Sequence, residues 1–391
     1  SMATIPQPLP EAIAASANAK VARRLLPVIV LCAFFAFLDR VNIGFAAIQM
    51  QADLGLSAAA FGLGAGIFFI AYFLFEIPSN LFMMRVSPGV WLTRIMLSWG
   101  LISALTGFIP QMARGTGLSH EILFYILRFL LGAAEAGFSP CIIFYISLWF
   151  PNARRARALA IYSAIVPASA LIGAPLSGAL LDIDAFGLSG WQWMFLIEGL
   201  PATLLAPLAY WRLTAHPEQA TWLTPAERSW LISQIDCEQH GTGLHHEPLL
   251  RVLADRRILT LGLALFLVLC SFYAILFFLP QVIAEFGSSN LQTGFISAIP
   301  YLGSSIAMIL WGRHSDQTGE RRVHFSLSAL LVAIGLAAVP HADSLPLKTA
   351  FFTMGAIGAF ACMPVFWPIC QSFLSGRAAA AGLAFINSLG N

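Results

Sequence analysis

The stretch from Leu25 to Met50 is apolar almost throughout, yet it carries Asp39 and Arg40 side by side near its middle. At 1.5 Å per residue it makes a helix of about 39 Å, enough to cross a hydrocarbon core about 30 Å thick. Facing lipid, the two charges would carry a prohibitive desolvation cost, so the helix must turn them toward a wet cavity inside the protein. A chain built on such a segment folds in a bilayer and lines something there.

Composition agrees. Only 10% of the 391 residues are charged and 58% are hydrophobic, against about 25% charged in soluble domains. The expected class is an all-α integral membrane protein. Six cysteines are present, Cys32, Cys141, Cys270, Cys362 and Cys370 in apolar runs and Cys237 in a polar one, with no CxxC and no histidine at ligand spacing. They read as packing residues, with neither metal nor cofactor expected. No phosphate loop or basic nucleic-acid patch is visible, and an enzyme is not expected.

Apolar runs fall at about 25–50, 58–84, 90–112, 122–150, 158–181, 190–211, 258–284, 291–311, 323–340, 347–374 and 378–391. That predicts about eleven spans, the last too short to cross and so incomplete. With the N-terminus inside, alternate connections hold 17 of the 21 Lys and Arg residues; Arg114 and Lys348 lie opposite, and Arg40 and Arg128 lie within spans. This bias predicts a cytoplasmic N-terminus. The expected organisation is a leader over 1–24, a six-helix bundle over 25–213, a cytoplasmic loop over 214–257 and a second, truncated bundle over 258–391. Thr224-Pro225-Ala226-Glu227 in that loop has the form of a helix start. Halves of this kind commonly rock around a midplane site.

In the fourth span Arg128 and Glu135 are seven residues apart, which puts them on one helix face about 10 Å apart. Two spans of the first half thus each contribute an acid and a base. Asp39 paired with Arg128, or Arg40 with Glu135, could simply hold the bundle together; two sets in one half favour a pathway, since intramembrane charges usually line one. Glu76 and Glu198 lack a base in their own spans and are expected to play hydrogen-bonding roles. The aromatic excess, with 31 Phe and 10 Trp, is expected to face mostly lipid and interface.

A further signal is Gly312-Arg313-His314-Ser315-Asp316-Gln317-Thr318-Gly319-Glu320-Arg321-Arg322 between the eighth and ninth spans. This spacing resembles the loop signature of the major facilitator superfamily; the first-half counterpart, 80–89, lacks the aspartate. Within that superfamily, the segments 37–44 (FLDRVNIG), 73–80 (FLFEIPSN), 128–137 (RFLLGAAEAG) and 190–193 (GWQW) are similar to the anion:cation symporter family. The resemblance implies the major facilitator fold of two six-helix bundles, and a symporter that imports a small organic carboxylate, tartrate-like or aromatic, together with protons. It implies proton-coupling roles for Asp39 and Glu135, and substrate binding by Arg40, Arg128, Asn42, Tyr72, Trp367 and Asn387. Gly312, Asp316, Gly319, Arg321 and Arg322 would form a cytoplasmic gating motif. Phe37 stands where sugar-acid carriers tend to have a hydroxylated aromatic, and Ser139-Pro140-Cys141 replaces a Pro-Gly step. The partners expected are the organic anion, protons and the lipid bilayer, with no nucleic acid, for a monomer in the bacterial inner membrane. An exchanger, a uniporter or a sugar-acid carrier are the alternatives within transport. A membrane sensor is the alternative outside it, and it lacks room for an output domain in a loop of about 44 residues, since domains run to about 50 or more.

Overall fold

A computed structural model describes residues 10–240, 255–373, 386–387 and 389–390. Among the described residues, ten helical segments are long and apolar enough to cross a membrane. The eleventh run, like Arg251 and Arg377, lies mostly or wholly outside the described residues.

The first half comprises α1 (Pro10–Leu54), α2 (Ala58–Val86), α3 (Pro88–Thr106), α4 (Ile109–Thr116), α5 (His120–Glu135), α6 (Phe138–Trp149), α7 (Asn152–Leu180) and α8 (Gly190–Arg212). The second comprises α10 (Arg256–Ala284), α11 (Asn290–Thr318), α12 (Arg322–Ala338) and α13 (Leu345–Phe373), joined to the first through α9 (Pro225–His240). Serines start several spans by satisfying orphan amides: Ser57 accepts from the Ala60 amide (3.0 Å), and Ser289 and Ser189 each form a capping box with a glutamine three residues on.

The first helix begins well before the predicted run. Residues 10–24, read from sequence as a leader, continue α1, because Ala-rich chain favours helix and tertiary contacts hold it. Ser16 and Lys20 bond Glu227 at the start of α9 (2.6 and 2.8 Å). Thr224 and Glu227 cap α9 reciprocally, so the helix start read from Thr224-Pro225 is present. Glu227 lies outside the spans. Burial pushes its carboxyl up, but bonds from Lys20, Ser16 and Thr224 outweigh this and hold it at about 2.

In the first half α1 packs on α7 and α8, α3 on α8, and α2 on α5; in the second α13 packs on α11 and α12. The halves meet through α1 against α10 and α7 against α11. The closest approaches cluster at one end, opposite the start of α1. A Cβ at Gly44 would come within 2.6 Å of the Leu276 carbonyl oxygen, and one at Gly178 within 2.5 Å of that of Asn290. Gln51 bonds Gln281 (3.0 Å) and Asn290 bonds Asp182 (2.7 Å) at the same end.

Candidate substrate and ion-coupling site

The fourth span is broken at the site. α5 ends at Glu135 and α6 starts at Phe138, with Gly137 at φ +86°, a left-handed conformation that suits glycine. The backbone freed by the break is satisfied by side chains. Ser79 Oγ donates to the Ala136 carbonyl (2.6 Å), Trp91 Nε1 donates to Ser79 Oγ (2.8 Å), and Arg94 reaches the Ala134 carbonyl (3.3 Å). Irregular backbone survives at membrane depth when its polar groups are paired inside the protein.

Glu135 is fully buried at this break. Arg40 grips its Oε1 with Nε (2.9 Å) and Nη2, while Oε2 has no hydrogen-bond partner. The third arm of the fork crosses to the second half, where Arg40 Nη1 donates to the Tyr273 hydroxyl (2.9 Å). The guanidinium also lies 5.3, 5.9 and 5.6 Å from the ring centres of Phe37, Phe68 and Tyr72. An aromatic sleeve of this kind favours a cation through the ring quadrupole.

Arg128 is treated differently. It is only 4% exposed and stacks over Phe68 at 4.8 Å, yet among the described residues it has no salt bridge, and its Nε is buried without a hydrogen-bond partner. The carboxylates acting on it, Asp39 and Glu135, are engaged elsewhere. Asp39 accepts from Ser103 Oγ, Trp99 Nε1 (3.0 Å) and Asn42 Nδ2 (3.2 Å). Of the two pairings open to the sequence, only Arg40 with Glu135 forms. The arrangement presents one neutralised arginine and one arginine with unused donors, a combination suited to holding a carboxylate bidentately.

The other expected residues divide. Tyr72 is 4% exposed beside Arg40 and Phe68. Asn42 is 0% exposed and turned to Asp39. Trp367 packs with Ile258, Leu265 and Phe366, and Ile386, next to Asn387, belongs to the same cluster. That cluster includes Leu265, about 12 Å along α10 from the Tyr273 that Arg40 reaches. In the loop motif, Asp316 pairs with Arg321 (2.6 Å) and Ser315 links to Glu320 and Arg321. Gly319 ends α11 at φ +68°, Gly312 lies against Pro364, and Arg322 opens α12.

Trp99, Ser103 and Tyr273 escaped the sequence reading. A Ser four residues after a Trp within the apolar third run was the signal for the first two. Tyr273 was marked only by being the one tyrosine of an apolar run rich in leucine and phenylalanine. The expectation for the aromatics needs correction as well: Trp99, Trp149 and Trp191 are fully buried; Trp99 and Trp191 spend their indole N–H groups on Asp39 and Asp53 (2.7 Å), whereas that of Trp149 has no partner among the described residues.

Comparison with known proteins places this architecture. A protein of Agrobacterium vitis named as a candidate tartrate transporter is 48% identical over 95% of this chain and 84% of its own length. The candidate metabolite transport protein NicT of Pseudomonas putida is 38% identical over 95% of this chain and 84% of its own. A solved bacterial homologue of the human lysosomal transporter Spinster, in an inward-facing and occupied conformation, superposes with a TM-score of 0.74. It covers 94% of this chain and 78% of that one at 18% identity, a likeness of fold. The family model described as the Major Facilitator Superfamily matches residues 29–391, and the chain, a multi-pass membrane protein, belongs to that superfamily of transporters.

Proposed function

We propose that this protein is a proton-coupled symporter that imports a small organic carboxylate, tartrate-like or aromatic, by alternating access. The observation that carries the proposal is Arg128, a buried cation whose donors find no carboxylate partner beside an Arg40 that already holds one. An anion entering this space gains the donors of Arg128 and competes with Glu135 for Arg40. Once displaced, Glu135 is a buried carboxylate without a counter-charge, and a proton removes that cost. Anion and proton binding are then positively linked, and the linkage is reciprocal. Asp39, caged by Ser103, Trp99 and Asn42, is the second coupling acid. The naming of two relatives as candidate tartrate transporters supports a small organic acid, and Tyr72 and Phe37 supply aromatic walls for it.

In this reading the halves are the bundles 25–213 and 258–391, the N-terminus is cytoplasmic, and the membrane is the bacterial inner membrane. The sealed end then faces outward and the conformation is inward-facing, with the 312–322 motif at the open side and its Asp316 paired with Arg321 of the same motif. Trp367 and Asn387 would line the cytoplasmic approach.

The test is uptake by proteoliposomes under an imposed pH gradient. Asp39→Asn and Glu135→Gln should each abolish gradient-driven accumulation of the carboxylate. If both variants still concentrate substrate, the coupling scheme fails.

A further inference from the structure

Glu198 on α8 takes no part in the arrangement around the two arginines, yet it is 1% exposed. Its Oε1 accepts from Ser177 Oγ (2.9 Å), while its Oε2 is sealed from solvent and has no hydrogen-bond partner. The side chain of Asn42 faces the same carboxyl. Asn42 Nδ2 donates to Asp39 (3.2 Å), which fixes the orientation of the amide, and its Oδ1 is also buried and without a donor.

Both side chains therefore present a buried acceptor without a donor. A buried acceptor left without a donor carries its full desolvation penalty, and buried polar groups are nearly always paired. The hydroxyl of Ser177 is already committed. The groups acting on Glu198 are Ser177, Asn42 and Asp39, two neutral and one acidic. The helices packed on α8 are α1, α3 and α7; among the described residues, none of them pairs a cation with Glu198. Glu198 is thus a buried carboxyl with one hydroxyl hydrogen bond and no counter-charge among the described residues, a setting that favours its neutral form.

We propose that Glu198 is a further proton-binding site, that in this conformation its carboxyl is protonated and neutral, and that Asn42 links it to Asp39. Asn42 then stands between two acids, an ionised Asp39 that its Nδ2 bonds and a neutral Glu198. Asn42 acts by positioning these carboxyls and does not touch substrate. The place of Glu198 in transport rests on the proton-coupled reading above; its protonation does not.

The experiment is infrared spectroscopy of the purified protein in detergent at pH 7, unlabelled and with 13C-labelled glutamate. The expected result is a protonated-carboxyl C=O band that shifts on labelling and is lost in Glu198→Gln, whose amide offers the same donor and acceptor as the neutral acid. Absence of a glutamate-sensitive band in the wild type overturns the proposal, as does a band that persists undiminished in Glu198→Gln. Should that variant not fold, Ser177→Ala must shift the same band by removing the donor to Oε1, and an unmoved band is equally fatal. Failure of the wild type to take up any carboxylate would count against the proposed function and leave the spectroscopic result intact.

Discussion

Arg40 and Arg128 are one residue type against one ring, that of Phe68, and the structure assigns them opposite energetic characters. Replacing Arg40 by Met strands Glu135, whose side chain is wholly buried and whose hydrogen bonds all come from Arg40. Removing one partner of a buried ion pair costs about 3–5 kcal/mol. Replacing Arg128 by Met breaks no ion pair among the described residues and should change ligand-free stability by less than about 1 kcal/mol, within the range of substitutions that sever no network. Ligand binding should report the reverse. At a carboxylate concentration of 100 times Kd, the wild type gains about 2.7 kcal/mol of stability. Losing a buried charged partner weakens binding by about 2–5 kcal/mol, which raises Kd at least about thirtyfold. The same concentration would then stabilise Arg128→Met by less than about 1 kcal/mol. Denaturant unfolding in detergent at pH 7.5, with and without the carboxylate, measures both quantities. If Arg128→Met destabilises the ligand-free protein as much as Arg40→Met, or keeps the full ligand effect, Arg128 is a structural residue and the reasoning is refuted.

Two further outcomes are expected. Gly178→Val should prise open the sealed end, because overpacking there costs about 1–3 kcal/mol, a population shift of about 5- to 150-fold. Ala174→Cys, buried opposite Gly294 and placed on a background without Cys237 and Cys270, should then react faster with an impermeant maleimide, and an unchanged rate would clear this seam of any gating role. The docking of α9 on α1 should depend on acid pH. The folded Glu227 carboxyl sits at about 2, below its ordinary 4.5, so its contribution is complete above 4.5 and disappears as pH falls from there toward 2. Glu227→Gln should remove that dependence and speed backbone hydrogen exchange over 225–238 at neutral pH; exchange identical to wild type would contradict it.

The fold was largely legible because apolar runs of span length admit few arrangements in a bilayer. The seven-residue spacing of Arg128 and Glu135 likewise announced a shared face. Which acid met which base was not legible, because that depends on how α1, α2 and α5 cross, and several crossings satisfy the same apolar pattern. Asp39 looked like a partner for Arg128, and its three donors came instead from Trp99, Ser103 and Asn42, residue types that read equally well as core. The break after Glu135 was hidden for a related reason: Gly132, Ala133, Ala134, Ala136 and Gly137 form a small-residue stripe that suits close packing as well as unwinding. Glu198 was expected to hydrogen-bond, and Ser177 provides that bond; its bare second oxygen could only appear once atoms had positions.

The seam at Gly44, Gly178 and Gly294 has a mechanical consequence. Here α1 lies directly on the backbone of α10, and α7 on that of α11, with no side chain between them at these points that could swing aside. A plug of that construction cannot dilate a little: admitting one water means separating whole helices, and packed interfaces tend to have discrete arrangements instead of yielding by degrees. Under the alternating-access proposal, this end would accordingly open by movement of whole helices and not by thermal jitter of single residues.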